Sequence, residues 1–322
     1  MANVRWGILG AAKFARQHMG RAIQSAEGAE LVAVASRDPS KVAPFQTFAP
    51  ACRAMGYEAL LAAPDIDAVY IPLPHHLHVE WALKAAAAGK HVLVEKPAAM
   101  HVAQFDDLIA ARDRSGQVIA EAYMIVHHPQ WHRTKALIED GAIGRLRHIS
   151  GHFTYENSAD TGNFRNKAEA GGGGLRDIGV YTFGSARYVM GAEPEITQAR
   201  LRFEDGFDSF ADVQARFGDV TYSAYVSTRL LQSQEMVFHG TQGRIRLPAP
   251  FNPGSFKEAS IEIEQPNFGT RLERFPGVNH YVLQVEAFCR AVTGQEDYAC
   301  PLEFSRGTQD MIDRVLDIGT AL

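Results

Sequence analysis

Apolar runs of strand length alternate with helix-length segments through the first third of the chain, and no other feature of the sequence restricts the fold as much. Val4 to Leu9 reads as a buried strand, Ala12 to Ser25 as a helix, and Leu31 to Ala35 and Ala68 to Leu73 as further buried strands. His78 to Ala88 has helical periodicity and stops at Gly89, where a residue without a side chain takes positive φ at no steric cost. His91 to Val94 follows as a strand, Val102 to Ser115 as a helix ending at Gly116, and Val118 to Tyr123 as the last strand of the series. Parallel strands need a crossover connection, so strand and helix in repeated succession predict a doubly wound parallel sheet wrapped by helices.

After about residue 122 the pattern changes. A helix around Trp131 to Asp140 leads into segments rich in β-branched and aromatic residues: Leu146 to Tyr155, Ile196 to Phe203, Phe210 to Phe217, Val220 to Thr228 and Glu235 to Thr241. Gly218-Asp219 and Gln242-Gly243 stand where hairpin turns belong. Further helices are expected at Gly179 to Met190, Tyr281 to Val292 and Leu302 to Leu316. The expectation is an α/β chain of two domains, residues 1–122 as a dinucleotide-binding Rossmann domain and residues 123–322 as an α+β substrate-binding and oligomerisation domain with a large, mostly antiparallel open sheet.

Composition narrows the class of partner. The 322 residues are 46% hydrophobic and 21% charged, enough apolar surface for two cores, yet no apolar run approaches the ~18 residues of a membrane span. No charged-then-apolar signal segment opens the chain, and Cys52, Cys289 and Cys300 lack zinc or disulfide spacing, so the cytoplasm is the expected location. The net charge of −5, with the first 122 residues balanced, leaves neither part basic. A nucleic-acid binder should carry a clustered positive face, so a small molecule is the expected partner and neither nucleic acid nor membrane is.

Four segments carry chemistry. The first strand ends in Gly7-Ile-Leu-Gly10-Ala-Ala12-Lys13-Phe14-Ala15, which places the dinucleotide fingerprint on Gly10, Ala12 and Ala15. Gly10 suits the tight turn, a small Ala12 admits the pyrophosphate, and Ala15 lets the helix sit close to the strand. The second strand is followed by Ser36-Arg37-Asp38, about 25 residues on by the fingerprint's spacing, where an adenosine ribose lies. The Ser36 hydroxyl and Arg37 guanidinium suit a 2′-phosphate and so favour NADP; the competing possibility is that Asp38 supplies a ribose contact and NAD binds. Glu95-Lys96-Pro97 ends another strand at the carboxyl edge, where open α/β sheets bind ligands. Lys96 there is either a solvated charge or a group that polarises a substrate oxygen, and Pro97 raises the prospect of a cis bond. Finally, four glycines, Gly171 to Gly174, open a helix on which Asp177 and Tyr181, four apart, share a face. That pair reads as an orienting carboxylate and a proton donor, or as a cap and a half-buried ring. His75, His76 and His78 in one turn and His127, His128 and His132 in another offer no recognised metal-ligand spacing, so no metal is expected.

Taken together these residues, with the Pro74-x-x-x-His78 turn, Ala88-Gly-Lys-His-Val-Leu-Val-Glu95-Lys96-Pro97, His128-Pro129-Gln130, Gly141-x-x-Gly144 and Asn279-x-Tyr281-x-x-Gln284, resemble the Gfo/Idh/MocA oxidoreductase family over nearly the whole chain. Tyr181, where many members have histidine, together with Ser36-Arg37 and Asn163-Phe-Arg165, resembles the branch holding glucose-fructose oxidoreductase, dimeric dihydrodiol dehydrogenase and NADP-dependent xylose dehydrogenase. Two departures stand out: Ala12 replaces the second fingerprint glycine, and His75-His76 replace Asn and a small residue.

The resemblance implies Lys96 as catalytic lysine, Tyr181 as acid/base and Asp177 as its polar companion. Gly7, Gly10, Ala12, Lys13, Phe14, Ser36, Arg37, Pro72, Pro74, His78, Glu95 and Lys96 are the expected cofactor residues, and His152, Asn163, Arg165 and Asp177 the expected substrate contacts. The expected activity is NADP-dependent hydride transfer to or from a hydroxyl- or carbonyl-bearing carbon of a sugar or cyclic vicinal diol. Two rivals stay open: an NADP-binding sensor without turnover, and a lyase or glycosidase that oxidises transiently with bound NAD. A homodimer is expected through the second domain's sheet, whose faces carry Phe203, Phe217, Tyr222 and Tyr225.

Overall fold

The computed structural model describes residues 3–266 and 269–322, which separate into two compact units: residues 1–124 with 280–306, and residues 125–279 with 307–322. In the first, β1 (Val4–Leu9) leads through a π-helical turn, Ala15–Met19, into α1 (Gly20–Ser25) and β2 (Ala29–Ala35). Then come α2 (Ala43–Gln46), β3 (Arg53–Met55), α3 (Tyr57–Ala62), β4 (Ala68–Ile71), α4 (His78–Ala87), β5 (His91–Glu95), α5 (Val102–Ser115) and β6 (Ile119–Ala122). The six strands form one parallel sheet in the order β3-β2-β1-β4-β5-β6. This is the doubly wound sheet that the alternation predicts, with the strand order reversing beside β1. Its helices cover both faces, so β4 is buried at every position and reads as an uninterrupted apolar run. The three-residue edge strand β3 and the short α3 were not expected: two of the three β3 residues are exposed, and so short a segment carries no period.

The second unit opens with α6 (Pro129–Glu139), then β7 (Leu146–Glu156) and a second π-helical turn, Leu175–Gly179, running into α7 (Val180–Met190). There follow β8 (Glu195–Glu204), β9 (Phe207–Phe217), β10 (Val220–Ser227), β11 (Arg229–Gly240), β12 (Arg244–Leu247), β13 (Ser260–Gln265) and β14 (Gly269–Arg274). With the terminal β15 (Thr320–Ala321) they make a nine-stranded sheet, β14-β13-β12-β11-β7-β10-β9-β8-β15, antiparallel except where β10 meets β7 and β15 meets β8. The sequence reading missed β12 to β14 because their outward positions are charged. Those charges pair across strands, Arg244 with Glu264 at 2.7 Å and Arg246 with Glu262 at 2.8 Å.

Alternation decides what each face of this sheet does. Ile149 and Phe153 of β7, Tyr222 and Ala224 of β10 and Met236 and Phe238 of β11 are buried on one face, against which Phe183 of α7 packs edge-on to Tyr222. Phe217 and Tyr222 therefore belong to the core and not to an exposed association face, whereas Phe203 and Tyr225 are exposed. On the open face His152, Tyr225 and Phe210 stack across three adjacent strands, with ring centroids 5.0 and 6.2 Å apart.

The first unit draws on two stretches of the chain, residues 1–124 and 280–306. The chain returns to the first unit with α8 (His280–Val292), and α9 (Leu302–Ile318) follows, with the division between units falling inside it. The cause is an apolar stripe on α8. Val285, Phe288 and Cys289 complete the core around Trp6, Ile23 and Leu31, and the Phe288 and Trp6 rings lie 5.0 Å apart.

Candidate active site

Four of the six carboxyl ends of the parallel sheet deliver a residue singled out above: Gly10 after β1, Ser36 after β2, Pro72 after β4, Lys96 after β5. Gly10 has φ +121°, a region closed to side chains, and a Cβ there would also press on Leu73 at 2.9 Å. Beyond it Ala12 is partly buried and Lys13 exposed, while the Phe14 ring stands edge-on to Tyr281 of α8 at 5.6 Å. Gly7 lies within β1, where a Cβ would meet Leu60 at 2.7 Å, so its role is helix-to-sheet packing.

At the end of β2 the backbone N–H of Asp38 donates to Ser36 Oγ at 3.2 Å. The Asp38 carboxylate accepts from the Ser40 amide at 3.0 Å and hydroxyl at 2.6 Å, which caps the 3-10 turn Pro39–Val42 and holds its pKa below the usual carboxylate range. Asp38 is thus engaged locally, and Arg37 is exposed beside it.

The Lys96–Pro97 peptide is cis. Lys96 is 8% exposed. Before it, Tyr70 donates its hydroxyl to Glu95 Oε1 at 2.5 Å, and Glu95 Oε2 accepts the Lys96 amide at 3.2 Å. The Glu95 carboxylate therefore serves the shape of the strand end. His78, fully buried at the start of α4, has Nδ1 2.8 Å from the Pro97 carbonyl and Nε2 2.7 Å from that of Leu73. Burial pushes its pKa down to about 4, partly offset by those two carbonyls, of which a neutral ring can satisfy only one as donor. Pro74 begins the turn that delivers His75, buried, and His76, exposed. Among the described residues no three His, Cys, Asp or Glu side chains are grouped to hold a metal ion.

In the second unit the glycine-rich turn and its helix build a separate polar group. Gly173 has φ +116°, and a Cβ there would collide with the Asp208 carboxylate. Asp208, reaching from β9, accepts the Leu175 amide at 2.7 Å and so caps the π-helical turn on which Asp177 sits. Burial raises the Asp208 pKa to about 7 despite that bond. Asp177 is 4% exposed, and its two oxygens are held by different partners: the Tyr155 hydroxyl at 2.7 Å and Arg165 Nε at 3.0 Å. Burial, then the neighbouring carboxylate, raises the Tyr155 pKa above the ordinary phenol range. Tyr181 is buried, its ring 5.7 Å from Phe153 and 5.6 Å from Phe251.

Of the expected substrate contacts, Arg165 and Asp177 come together. Asn163 is spent on a turn, accepting the Arg165 amide at 3.1 Å and donating to Asp160 at 3.0 Å. His152 lies on the open face of the sheet, one register step from Phe153, and its ring bonds Ser233 at 2.8 Å. Residues that sequence reasoning passed over are Tyr155, Asp208, Tyr70 and Glu121. Only the alternation of β7 carried a signal, since Tyr155 shares the parity of Phe153.

A parallel sheet with a glycine turn at the switch point and a lysine at a strand end, in a chain whose second unit carries a glycine-rich turn with a buried carboxyl and a tyrosine after it, defines a two-unit dinucleotide-binding oxidoreductase. Residues 4–123 match the model of the Gfo/Idh/MocA oxidoreductase family's NAD-binding Rossmann fold, and residues 131–246 that of the family's C-terminal domain. The chain is 39% identical to an uncharacterized oxidoreductase, ORF334, of Rhizobium meliloti over 98% of its own length and 96% of the relative's. It is 35% identical to the dTDP-3,4-didehydro-2,6-dideoxy-alpha-D-glucose 3-reductase of Saccharopolyspora spinosa, covering 92% of this chain and 90% of that one. The crystal structure of KijD10, a 3-ketoreductase from Actinomadura kijaniata in complex with NADP and TDP-benzene, superposes with a TM-score of 0.93 at 29% identity, covering 99% of each chain. The chain belongs to the Gfo/Idh/MocA oxidoreductase family, and it is an oxidoreductase.

Proposed function

We propose that this enzyme uses NADP to interconvert a hydroxyl and a carbonyl on a sugar carbon, Lys96 and Tyr181 handling the oxygen and its proton. The observation that carries the reading is the carboxyl edge of the parallel sheet, where Gly10, Ser36 and Lys96 follow β1, β2 and β5 in the strand order of dinucleotide-binding folds. The residues fit the cofactor: the Gly10 turn leaves room that a Cβ would fill, and the helix after it presents backbone amides to a pyrophosphate. Ser36 and Arg37 would hold the 2′-phosphate, a choice supported by the local engagement of Asp38. NADP, when bound, supplies or accepts the hydride.

Lys96 would stabilise negative charge on the substrate oxygen, and Tyr181 would give that oxygen a proton in reduction and take it in oxidation. Asp177, held as a carboxylate by Arg165 and Tyr155, would orient hydroxyl groups of the sugar. Sugars are favoured over aromatic diols by the kinship with a ketosugar reductase.

The same reading pairs two copies through the open face of the nine-stranded sheet, where Tyr225 stays 38% exposed. Sedimentation showing a single 35.4 kDa species at micromolar concentration would overturn that pairing. The activity is tested by following NADPH oxidation with ketosugars, free and nucleotide-linked, and NADP reduction with aldoses and cyclic diols. Turnover with a sugar is expected. Tight cofactor binding without turnover across the panel would favour a sensor, and product without net cofactor change a transient oxidation.

A further inference from the structure

The turn that carries Lys96 is gripped from both sides by buried side chains. On one side His78 from α4 meets the Pro97 carbonyl at 2.8 Å. On the other Glu121, 2% exposed on the neighbouring strand β6, accepts the Ala98 amide on Oε2 at 2.7 Å. A carboxylate is an expensive group to bury in a parallel sheet, where strands read as apolar runs. Ile119, Ala120 and Ala122 around it are apolar. A leucine at residue 121 would avoid that cost, so the position points to a task for a side-chain oxygen.

We infer that Glu121 is a positioning residue for the catalytic lysine: its hydrogen bond to Ala98 fixes the Lys96-Pro97-Ala98 turn, with His78 as the opposing anchor. The inference rests on the reading of Lys96 given above. Burial, partly offset by the Ala98 and Ser305 hydrogen bonds and the nearby Lys96 charge, leaves the Glu121 carboxyl with a pKa of about 7. Its grip on Ala98 does not need the charge, since a neutral carbonyl oxygen accepts the same bond.

The role is tested in the full-length protein labelled with [13Cε]lysine, the Lys96 signal being assigned by its loss in Lys96→Met. In Glu121→Ala that signal should move toward the position of a solvent-exposed lysine; in Glu121→Gln, which keeps an acceptor oxygen, it should stay. With the best sugar of the panel, Glu121→Ala should slow single-turnover hydride transfer by about tenfold or more, as misplacement of a reacting group does. NADPH affinity should stay within about threefold, and Glu121→Gln should recover most of the rate. Added to Lys96→Met, Glu121→Ala should cost less than about threefold more, because it acts through the lysine.

An unmoved Lys96 signal, a parental rate in Glu121→Ala, or a full additional loss in the double variant overturns the inference. Lys96→Met at the parental rate overturns the lysine's role and the inference with it, whereas an impaired Lys96→Met beside an unimpaired Glu121→Ala overturns the inference alone. Should Glu121→Ala fail to fold, the His78 anchor gives a second arm. His78→Asn retains a donor in the place of Nδ1 and should be about tenfold faster than His78→Gln, which retains the Nε2 side only. Equal rates in those two overturn the two-sided grip.

Discussion

Tyr155 donates its hydroxyl to Asp177 across 2.7 Å, and Arg165 holds the other Asp177 oxygen at 3.0 Å. Both oxygens of this buried group are bonded within its own unit, so losing either bond leaves a buried acceptor short of a partner. Tyr155→Phe keeps the ring and removes the bond, and the loss to a buried acceptor should cost about 1–3 kcal/mol of stability. Urea denaturation checks this, and an unchanged midpoint would show that the bond contributes nothing.

Cofactor choice turns on the end of β2. With Asp38 committed to the Ser40 amide and hydroxyl, Ser36 and Arg37 are left to meet a ribose phosphate. Ser36→Asp should weaken NADP binding by ~1.5–3 kcal/mol, one to two decades in affinity, and leave NAD nearly unaffected. Fluorescence titration with both cofactors reads the ratio. Equal affinity of the unaltered protein for the two would remove the premise.

The return of α8 to the first unit has a mechanical consequence. Phe288 is fully buried against Trp6, so Phe288→Ala should destabilise that unit by about 3–5 kcal/mol, the usual cost of deleting a large core ring. A fragment ending at residue 124 should expose Trp6 and Leu31 and aggregate, whereas one rejoining residues 280–306 through a linker should be more soluble. Light scattering of the two fragments distinguishes them.

What was legible in the sequence follows the same physics. Gly10, Ser36 and Lys96 could be placed because strand ends are marked by a change of period, and open sheets use those ends. His152 could not be placed, because an alternating strand says which residues share a face and not which face is covered. Asp208 and Glu121 were invisible for another reason. Each is a single carboxylate inside a strand, and its partner is a backbone amide brought from a distant segment, Leu175 in one case and Ala98 in the other. Backbone amides leave no mark on composition. The allegiance of α8 was hidden likewise, since its apolar stripe states that it packs but not on what.

Burial of Glu121 makes stability depend on pH in a definite direction. Its pKa rises from 4.5 to about 7 in the folded chain, so between those values the native state holds a proton that the unfolded chain has lost. Its contribution is fully present below pH 4.5 and disappears as pH rises through 7, with a slope of up to ~1.4 kcal/mol per pH unit. Glu121→Gln, neutral throughout, should flatten that part of the profile. Urea midpoints at several pH values from mildly acidic to neutral decide it, and parallel profiles would mean that Glu121 is ionised in the fold.

Lys96 and Tyr181 should act as a unit in the chemical step, although each is built on its own unit of the chain. A free phenol titrates near 10, so tyrosine is a poor base at neutral pH unless positive charge favours the phenolate. Lys96 is the cationic side chain assigned to that task. Tyr181→Phe preserves ring packing against Phe153 and Phe251 while removing the transferable proton, and general acid-base catalysis is typically worth 10²- to 10⁴-fold. The rate of hydride transfer should fall by about that range, with NADP affinity little changed. Lys96→Met should be comparably damaging. If the two residues serve one proton transfer, the double variant should lose far less than the product of the single losses, because once the transfer is gone a second deletion removes nothing more. Single-turnover rates in all four proteins measure this. Losses that multiply would mean that the lysine and the tyrosine serve different steps, and a near-normal Tyr181→Phe would mean that the proton travels by another group.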